Sequence, residues 1–579
     1  MKLFKKLLML SLTLASANLI ADDDLGTANS PTFFPKGQNA VTTIYPVDIS
    51  NIKFGEDLIT LQALQGIIAK YSGDQLYLCT SQDKYSDYWY APTDTDKKNG
   101  LVTADKFWLN YLTSIRNPKL TCTAYIDLPG VITQFKQYIK GYVTYSSNSL
   151  NLAVSYAGVN DYIPLTQTQI KGYGTFGLTN SASADSYTNA TFYNAFKSSI
   201  NQNLLFELNP AACSTSPLSY RNMPRDYAAM NKAMICFSST ATQDLSYYNT
   251  SPMAVIGWGS EQETSFVTEV SAKGDLVLPC DWGQNLSLLS SSTSAPMQAN
   301  TTPMPQLTYD SSKKYVTFII SDGDNLQLWL NTANDNRWWG NSIRTSKTYP
   351  VGWTMPPAMY YLAPDAWNYY EQSAIKNGIS NDEFICGPSG IGYNYGGVAG
   401  TSAFTPQLSY MNTFMQNANM PVLTIFGNND WGNKNWLGSL VGQSSVQGGF
   451  YFGYPSWPPI GTGVQFFTNT TRGEEVPIMY ANAFLKDDFT SPPNSSSVND
   501  YINNTISTIN SNSFTSVYVC KNFNGLWNNV PDQNKDKVGV YIMNDIDLVV
   551  TKLSKNNVVV VSPSQMISLL KQAHAKGKI

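Results

Sequence analysis

Beyond residue 308 the chain repeats one pattern: a short apolar run, a break, then a stretch with helical spacing. Strand-like runs fall at 315–320, 351–355, 384–386, 422–426, 450–452, 476–480, 514–520, 538–542 and 558–561. Helical patterns alternate with several of them, at 364–376, 408–417, 498–510 and 563–575. Runs this short and this apolar suit strands buried on both faces, and strands alternating with helices point to parallel pairing. The fold class this predicts is α/β, with a C-terminal distorted (β/α) barrel-like domain of about eight strands, or seven, preceded by small α/β N-terminal domains. A doubly wound open sheet is the alternative. In either architecture ligand chemistry belongs at the carboxyl ends of the strands.

The N-terminal part divides into units of similar kind. A helix with apolar spacing at 58–70 leads into a strand at 75–79, and 141–145, 151–158 and 162–165 read as a small β-α-β unit. Residues 176–204 read as loop or boundary, 226–237 as helix and 253–258 as strand. The Ser/Thr/Pro-rich stretch at 290–308 is the main linker. The domains expected are 43–125, 126–204, 205–300 and 308–579.

Lys2, Lys5 and Lys6 precede an apolar run at 7–14 and the small residues Ala15, Ser16, Ala17 and Ala21. Residues 1–21 therefore read as a secretory signal peptide, cut most plausibly after Ala21, and the protein is expected to be secreted or periplasmic. No later run approaches the roughly 18 apolar residues of a membrane span. Loss of the leader removes three lysines and no acid, so the formal charge falls from −4 to −7. That balance speaks against nucleic acid and anionic membrane surfaces as partners. Only 13% of residues are charged, which suits an uncharged polar ligand such as a sugar. The seven cysteines show no zinc spacing, and a disulfide is most plausible among Cys213, Cys236 and Cys280.

The chemistry available is narrowed by the single histidine, His574, near the C-terminus. A Ser-His-Asp or Cys-His triad would have to rest on that one remote residue, and a zinc site built on several histidines has too few to draw on. Carboxylates remain, and a pair of them cleaves a glycosidic bond without histidine, metal or cofactor. Ser321-Asp322-Gly323-Asp324-Asn325 follows the run at 315–320, and residues 387–395, Gly-Pro-Ser-Gly-Ile-Gly-Tyr-Asn-Tyr, follow the run at 384–386. Both lie just past presumed strand ends. Tyr393 and Tyr395, two positions apart, can present hydroxyls and ring faces to one side.

Together with Pro350-Val351-Gly352-Trp353 between them, these segments resemble the GxGYxYP family, which is named for the motif and associated with glycoside hydrolysis. Thr60-Leu61-Gln62-Ala63-Leu64-Gln65-Gly66, residues 151–158, Arg225-Asp226-Tyr227 and Gly257-Trp258-Gly259 resemble the family's leading domains. Gly396 stands where the family has proline, which predicts a looser exit from the loop. The resemblance implies a carbohydrate ligand or substrate and a site at the tyrosine motif.

The expected catalytic carboxylates are Asp322 or Asp324, with Asp430 in Asn428-Asn429-Asp430-Trp431 as partner. Asn325, Trp353, Tyr393, Tyr395 and Trp431 are expected to bind the sugar, the indoles as flat platforms for its C–H faces. Trp338 and Trp339 are further platform candidates. The Asp-Gly-Asp-Asn segment could instead cap the helix that follows it, or hold a cation through oxygen ligands. The function the resemblance implies is glycoside hydrolysis, here by paired carboxylates. A glycan-binding protein on the same scaffold, without turnover, is the alternative.

Overall fold

The computed structural model describes residues 33–79, 104–210, 224–292, 304–321, 323–333, 338–376, 379–454, 456, 458–486, 495–520, 542–553 and 557–579. Three small parallel sheets form the N-terminal part. The first has the order Asp74–Cys79, Thr43–Asp48, Thr121–Cys122. The second has the order Tyr162–Leu165, Gly141–Thr144, Ser181–Ser183. The third runs Leu276–Leu278, Ala254–Gly257, Leu204–Glu207, Met234–Cys236. The β-α-β unit read at 141–165 is present, with helix Leu150–Asn160 between its strands.

Two N-terminal expectations are corrected. The helix expected at 226–237 ends at Met230, because Lys232 takes a positive φ of 52° and turns the chain into the strand Met234–Cys236. The stretch read as boundary at 176–204 holds the strand Ser181–Ser183 and the helix Asn189–Phe196.

Helix Asp57–Ala69 is buried along its whole length, polar residues included. Each buried polar group needs a partner, and these partners come from the neighbouring units. Thr60 Oγ1 donates to Pro164 O at 2.7 Å, and Gln65 Nε2 donates to Leu76 O at 2.9 Å and Asn285 Oδ1 at 2.7 Å. Lys70, one residue past the helix, pairs with Asp161 at 2.7 Å. The helix is therefore the shared spine of the N-terminal units.

The C-terminal part is built on a ten-stranded sheet. Its path runs Val464–Asn469, Glu474–Tyr480, Gly448–Tyr454, Val422–Asn428, Asp382–Cys386, Val351–Met355, Lys314–Ile320, Phe514–Cys520, Ala483–Lys486. Val558–Val560 adds to Lys314–Ile320. All these pairings are parallel except that of Val464–Asn469 with Glu474–Tyr480. The two ends of the path meet in one stretch of chain. Ala481 N donates to Tyr451 O at 3.0 Å, and Asn482 N donates to Ser516 O at 3.1 Å. Residues 474–486 thus pair first with one side and then with the other, which is compatible with a seven-stranded barrel.

The strand expected at 538–542 lies outside the described residues except for Ile542, which begins a helix instead. The 1–21 leader and Cys213 also lie outside them. Cys236 and Cys280 are buried free thiols. No described helix is long and apolar enough to cross a membrane.

Candidate active site

Because the sheet strands run parallel, the segments after Ile320, Cys386, Asn428 and Tyr454 emerge at one end of it. Thr354, near the end of the adjacent strand Val351–Met355, holds the first of these segments. Its Oγ1 accepts from Gly323 N at 2.8 Å and donates to Ile320 O at 2.9 Å. A Cβ at Gly323 would lie 2.2 Å from the Thr354 carbonyl carbon, so only glycine lets the backbones approach this closely. On the other side Gly387 N donates to Met355 O at 3.2 Å.

Asp324 is buried, 7% exposed, and among the described residues its Oδ1 has no hydrogen-bond partner. Burial first, and the Glu263 charge second, raise its carboxyl to about 7. It does not cap the following helix. Asn325 occupies that N-cap position but makes no side-chain cap bond; its Oδ1 accepts from Gln327 Nε2 at 3.3 Å. Asp322 lies outside the described residues.

Tyr393 and Tyr395 are buried side by side, their rings 5.6 Å apart and edge-on, their hydroxyls 3.0 Å apart. Asn394 points the other way and ties its own loop, donating to Gly392 O at 2.9 Å. The motif does not stand free at the sheet end. Tyr393 exchanges two backbone hydrogen bonds with Val277, at 2.9 and 3.0 Å, and so adds an antiparallel bridge to the edge of the third N-terminal sheet. Tyr395 N donates to Ser271 Oγ at 2.8 Å.

This docking brings in a carboxylate that the sequence did not single out. Glu263, first residue of helix Glu263–Ala272, accepts from Tyr393 Oη at 2.9 Å. Burial raises its carboxyl, while hydrogen bonds from Tyr393 and Tyr454 pull it back. Burial and the neighbouring carboxylates push both motif phenols up, so they remain neutral donors. Asp324, Glu263, Tyr393, Tyr395 and Tyr454 thus form one electrostatically connected group.

Asp430 does not join that group. Tyr451 Oη donates to its Oδ1 at 2.7 Å, and its Oδ2 lies where a Cβ on Gly397 would stand, 2.2 Å away. It shares no hydrogen bond or charge interaction with Asp324 or Glu263 among the described residues. Trp431 is half-buried, with its ring 5.0 Å from those of Tyr451 and Tyr480.

Trp353 is corrected. It is wholly buried, its Nε1 donates to Asp382 Oδ1 at 2.8 Å, and it packs against Trp329, Trp338 and Trp339. These four indoles are core and cannot carry a sugar. His574 stacks on Phe466 and faces Glu475 at 3.7 Å, at the amino end of the Glu474–Tyr480 strand and so away from the mouth. Among the described residues no group of three or more His, Cys, Asp or Glu is placed to hold a metal ion.

Residues 312–571 match the family model described as "GxGYxYP putative glycoside hydrolase C-terminal domain". Residues 209–291 match the model of the same family's third domain. The chain belongs to the GxGYxYP family. The tyrosine motif and the helix that holds it thus come from two GxGYxYP domains, one on each side of the mouth. A solved structure described as "a putative hydrolase from Bacteroides thetaiotaomicron VPI-5482" shares the fold, with a TM-score of 0.72. The two are 22% identical over 95% of this GxGYxYP chain and 99% of that one. A comparison with curated proteins finds no match.

Proposed function

We propose that this protein is a secreted or periplasmic glycoside hydrolase acting through carboxylates at the carboxyl ends of the sheet strands, with Asp324 as general acid. The observation that carries the reading is Asp324 itself: buried, with one oxygen that has no partner among the described residues and a carboxyl raised to about 7. A carboxylic acid that keeps its proton near neutrality can give it to a departing glycosidic oxygen. Tyr393 and Tyr395, neutral and hydrogen-bonded to one another, orient the sugar. The family description supports the reaction class. The continuity of residues 474–486 between the two sheet ends supports a distorted (β/α) barrel. The basic and apolar leader supports export, and a mature N-terminus at Asp22, read by protein sequencing, is the expected result.

The test is turnover of a glycan panel by the wild type and by Asp324→Asn. We expect the amide to lose about 10²–10⁴-fold in kcat on unactivated glycosides. Equal turnover by both proteins removes Asp324 from the mechanism. A wild type that binds glycans without cleaving them makes the protein a glycan-binding module instead.

A further inference from the structure

We infer that Glu263, contributed by the third N-terminal domain, is the second catalytic carboxylate of the site and acts as general base toward water. The inference rests on the glycoside hydrolase reading above and adds to it the residue that completes the pair.

The placement carries the argument. A glutamate in the first turn of a helix ordinarily faces that helix's own free N–H groups. Glu263 does not: its side chain turns outward to Tyr393, 130 positions away in another domain, at 2.9 Å. None of its hydrogen bonds goes to the helix backbone. It is less buried than Asp324, which is 7% exposed. The domain contact that sets this geometry is fixed by the Val277–Tyr393 bridge and by Ser271 on the same helix. Keeping one carboxyl beside another in a partly dry site is costly, and such costs concentrate at functional sites.

The two acids also differ in the way an acid and a base must. Asp324 has an oxygen that no donor among the described residues reaches, which favours its protonated form. Burial, the largest influence on Glu263, raises its carboxyl as well, but two phenols donate hydrogen bonds to it and draw it back toward the carboxylate, an aid that Asp324 lacks. In the step that follows, water lying against Glu263 gives its proton to the carboxylate as its oxygen lone pair forms the new bond to the anomeric carbon. The bond from that carbon to the glycosidic oxygen breaks, its electron pair stays on the oxygen, and Asp324 supplies the proton that makes the leaving hydroxyl. One water is consumed. Exchange with solvent then returns a proton to Asp324 and removes one from Glu263.

The experiment uses the full-length protein and the 4-nitrophenyl and 2,4-dinitrophenyl glycosides of whichever sugar the wild type cleaves. Glu263→Gln is expected to lose about 10²–10⁴-fold in kcat on both substrates. Asp324→Asn should lose clearly more on the nitrophenyl glycoside than on the dinitrophenyl one, whose leaving group needs no acid. Formate should restore part of the rate of Glu263→Ala, which a purely structural role would not allow. The first product, followed by proton NMR, should have the inverted anomeric configuration. Tyr393→Phe keeps the ring but removes a hydrogen bond to Glu263, so the acidic limb of its kcat/KM profile should move to higher pH. Glu263→Gln turnover within about threefold of wild type, a retained anomer, or an unmoved acidic limb in Tyr393→Phe would overturn the assignment. Loss in Asp324→Asn with no loss in Glu263→Gln sinks only the Glu263 role. Absence of wild-type cleavage sinks the hydrolase reading, and this inference with it.

Discussion

At Gly396 a single missing side chain decides how the motif leaves the mouth. A Cβ there would lie 2.1 Å from Trp436 Cη2, so the indole fills the space that the family's proline would occupy. The exit is therefore packed, not loosened as the sequence suggested, with Asp430 against Gly397 on the next residue. Gly396→Pro must push Trp436 aside, and overpacking of this kind costs about 1–3 kcal/mol. Urea denaturation should show that loss, and an unchanged midpoint would mean that the indole has another place to go. Asp382 poses the opposite case. It accepts from Trp353 Nε1 and pairs with Arg344 at 2.8 Å and Lys347 at 2.9 Å, all of them buried. Asp382→Asn leaves two buried cations without their counter-charge, an expected loss of about 3–5 kcal/mol in the same assay. The direction of Tyr393 and Tyr395 was legible from their spacing of two. The burial of Trp353 was not, because the cover comes from Trp329, Trp338 and Trp339, and sequence spacing does not show which indoles meet.

Helix Glu263–Ala272 holds both motif tyrosines, one from each end: Glu263 through the Tyr393 hydroxyl, Ser271 through the Tyr395 amide. A helix that rigidly spaces its first and last turns also spaces what they hold. Ser271→Ala leaves the buried Tyr395 N–H without an acceptor, at a cost of about 1–3 kcal/mol. Hydrogen exchange at that amide should quicken well beyond any global loss of stability. Exchange no faster than the change in global stability explains would show that the Val277–Tyr393 bridge alone fixes the loop. Most strands of the C-terminal sheet were readable as apolar runs, since burial on both faces leaves an unbroken apolar signature. The strand Val464–Asn469 escaped because it is only partly buried, and its Val-Gln-Phe-Phe-Thr-Asn sequence carries no such run. Glu263 escaped for a different reason. In the sequence it is one acid of Glu261-Gln262-Glu263 at a helix start, and only the docking of two domains shows what it faces.

Across the whole molecule, several buried carboxyls have their protonation shifted in the same direction. Burial raises Asp226 to about 6 and Asp275 and Asp324 to about 7, from an ordinary 3.8. Glu207, Glu263 and Glu383 are raised by burial as well. Between pH 4 and 7, roughly, the folded chain therefore holds protons that the unfolded chain has released, and stability must fall as pH rises through that interval. Asp161 runs the other way. Although burial is its largest influence and raises it, Lys70 and Lys140 together hold it below its ordinary value. Its contribution is present above the unfolded value near 4 and is lost only as pH falls through its lower folded value. The two trends place the stability maximum well on the acid side of neutrality, near the unfolded carboxyl value of about 4. Urea midpoints should then be higher at pH 5 than at pH 8, by on the order of a few kcal/mol in total. Asp275 offers a clean check, because its Oδ1 accepts from Met253 N at 2.8 Å and an amide oxygen can do the same. Asp275→Asn cannot ionise, so it should recover more stability at pH 8 than at pH 5. A midpoint that rises from pH 5 to pH 8 would show that these carboxyls ionise in the folded protein without penalty. It would also remove the basis for a protonated Asp324, since the same burial that sets the stability profile keeps the proposed acid charged with its proton.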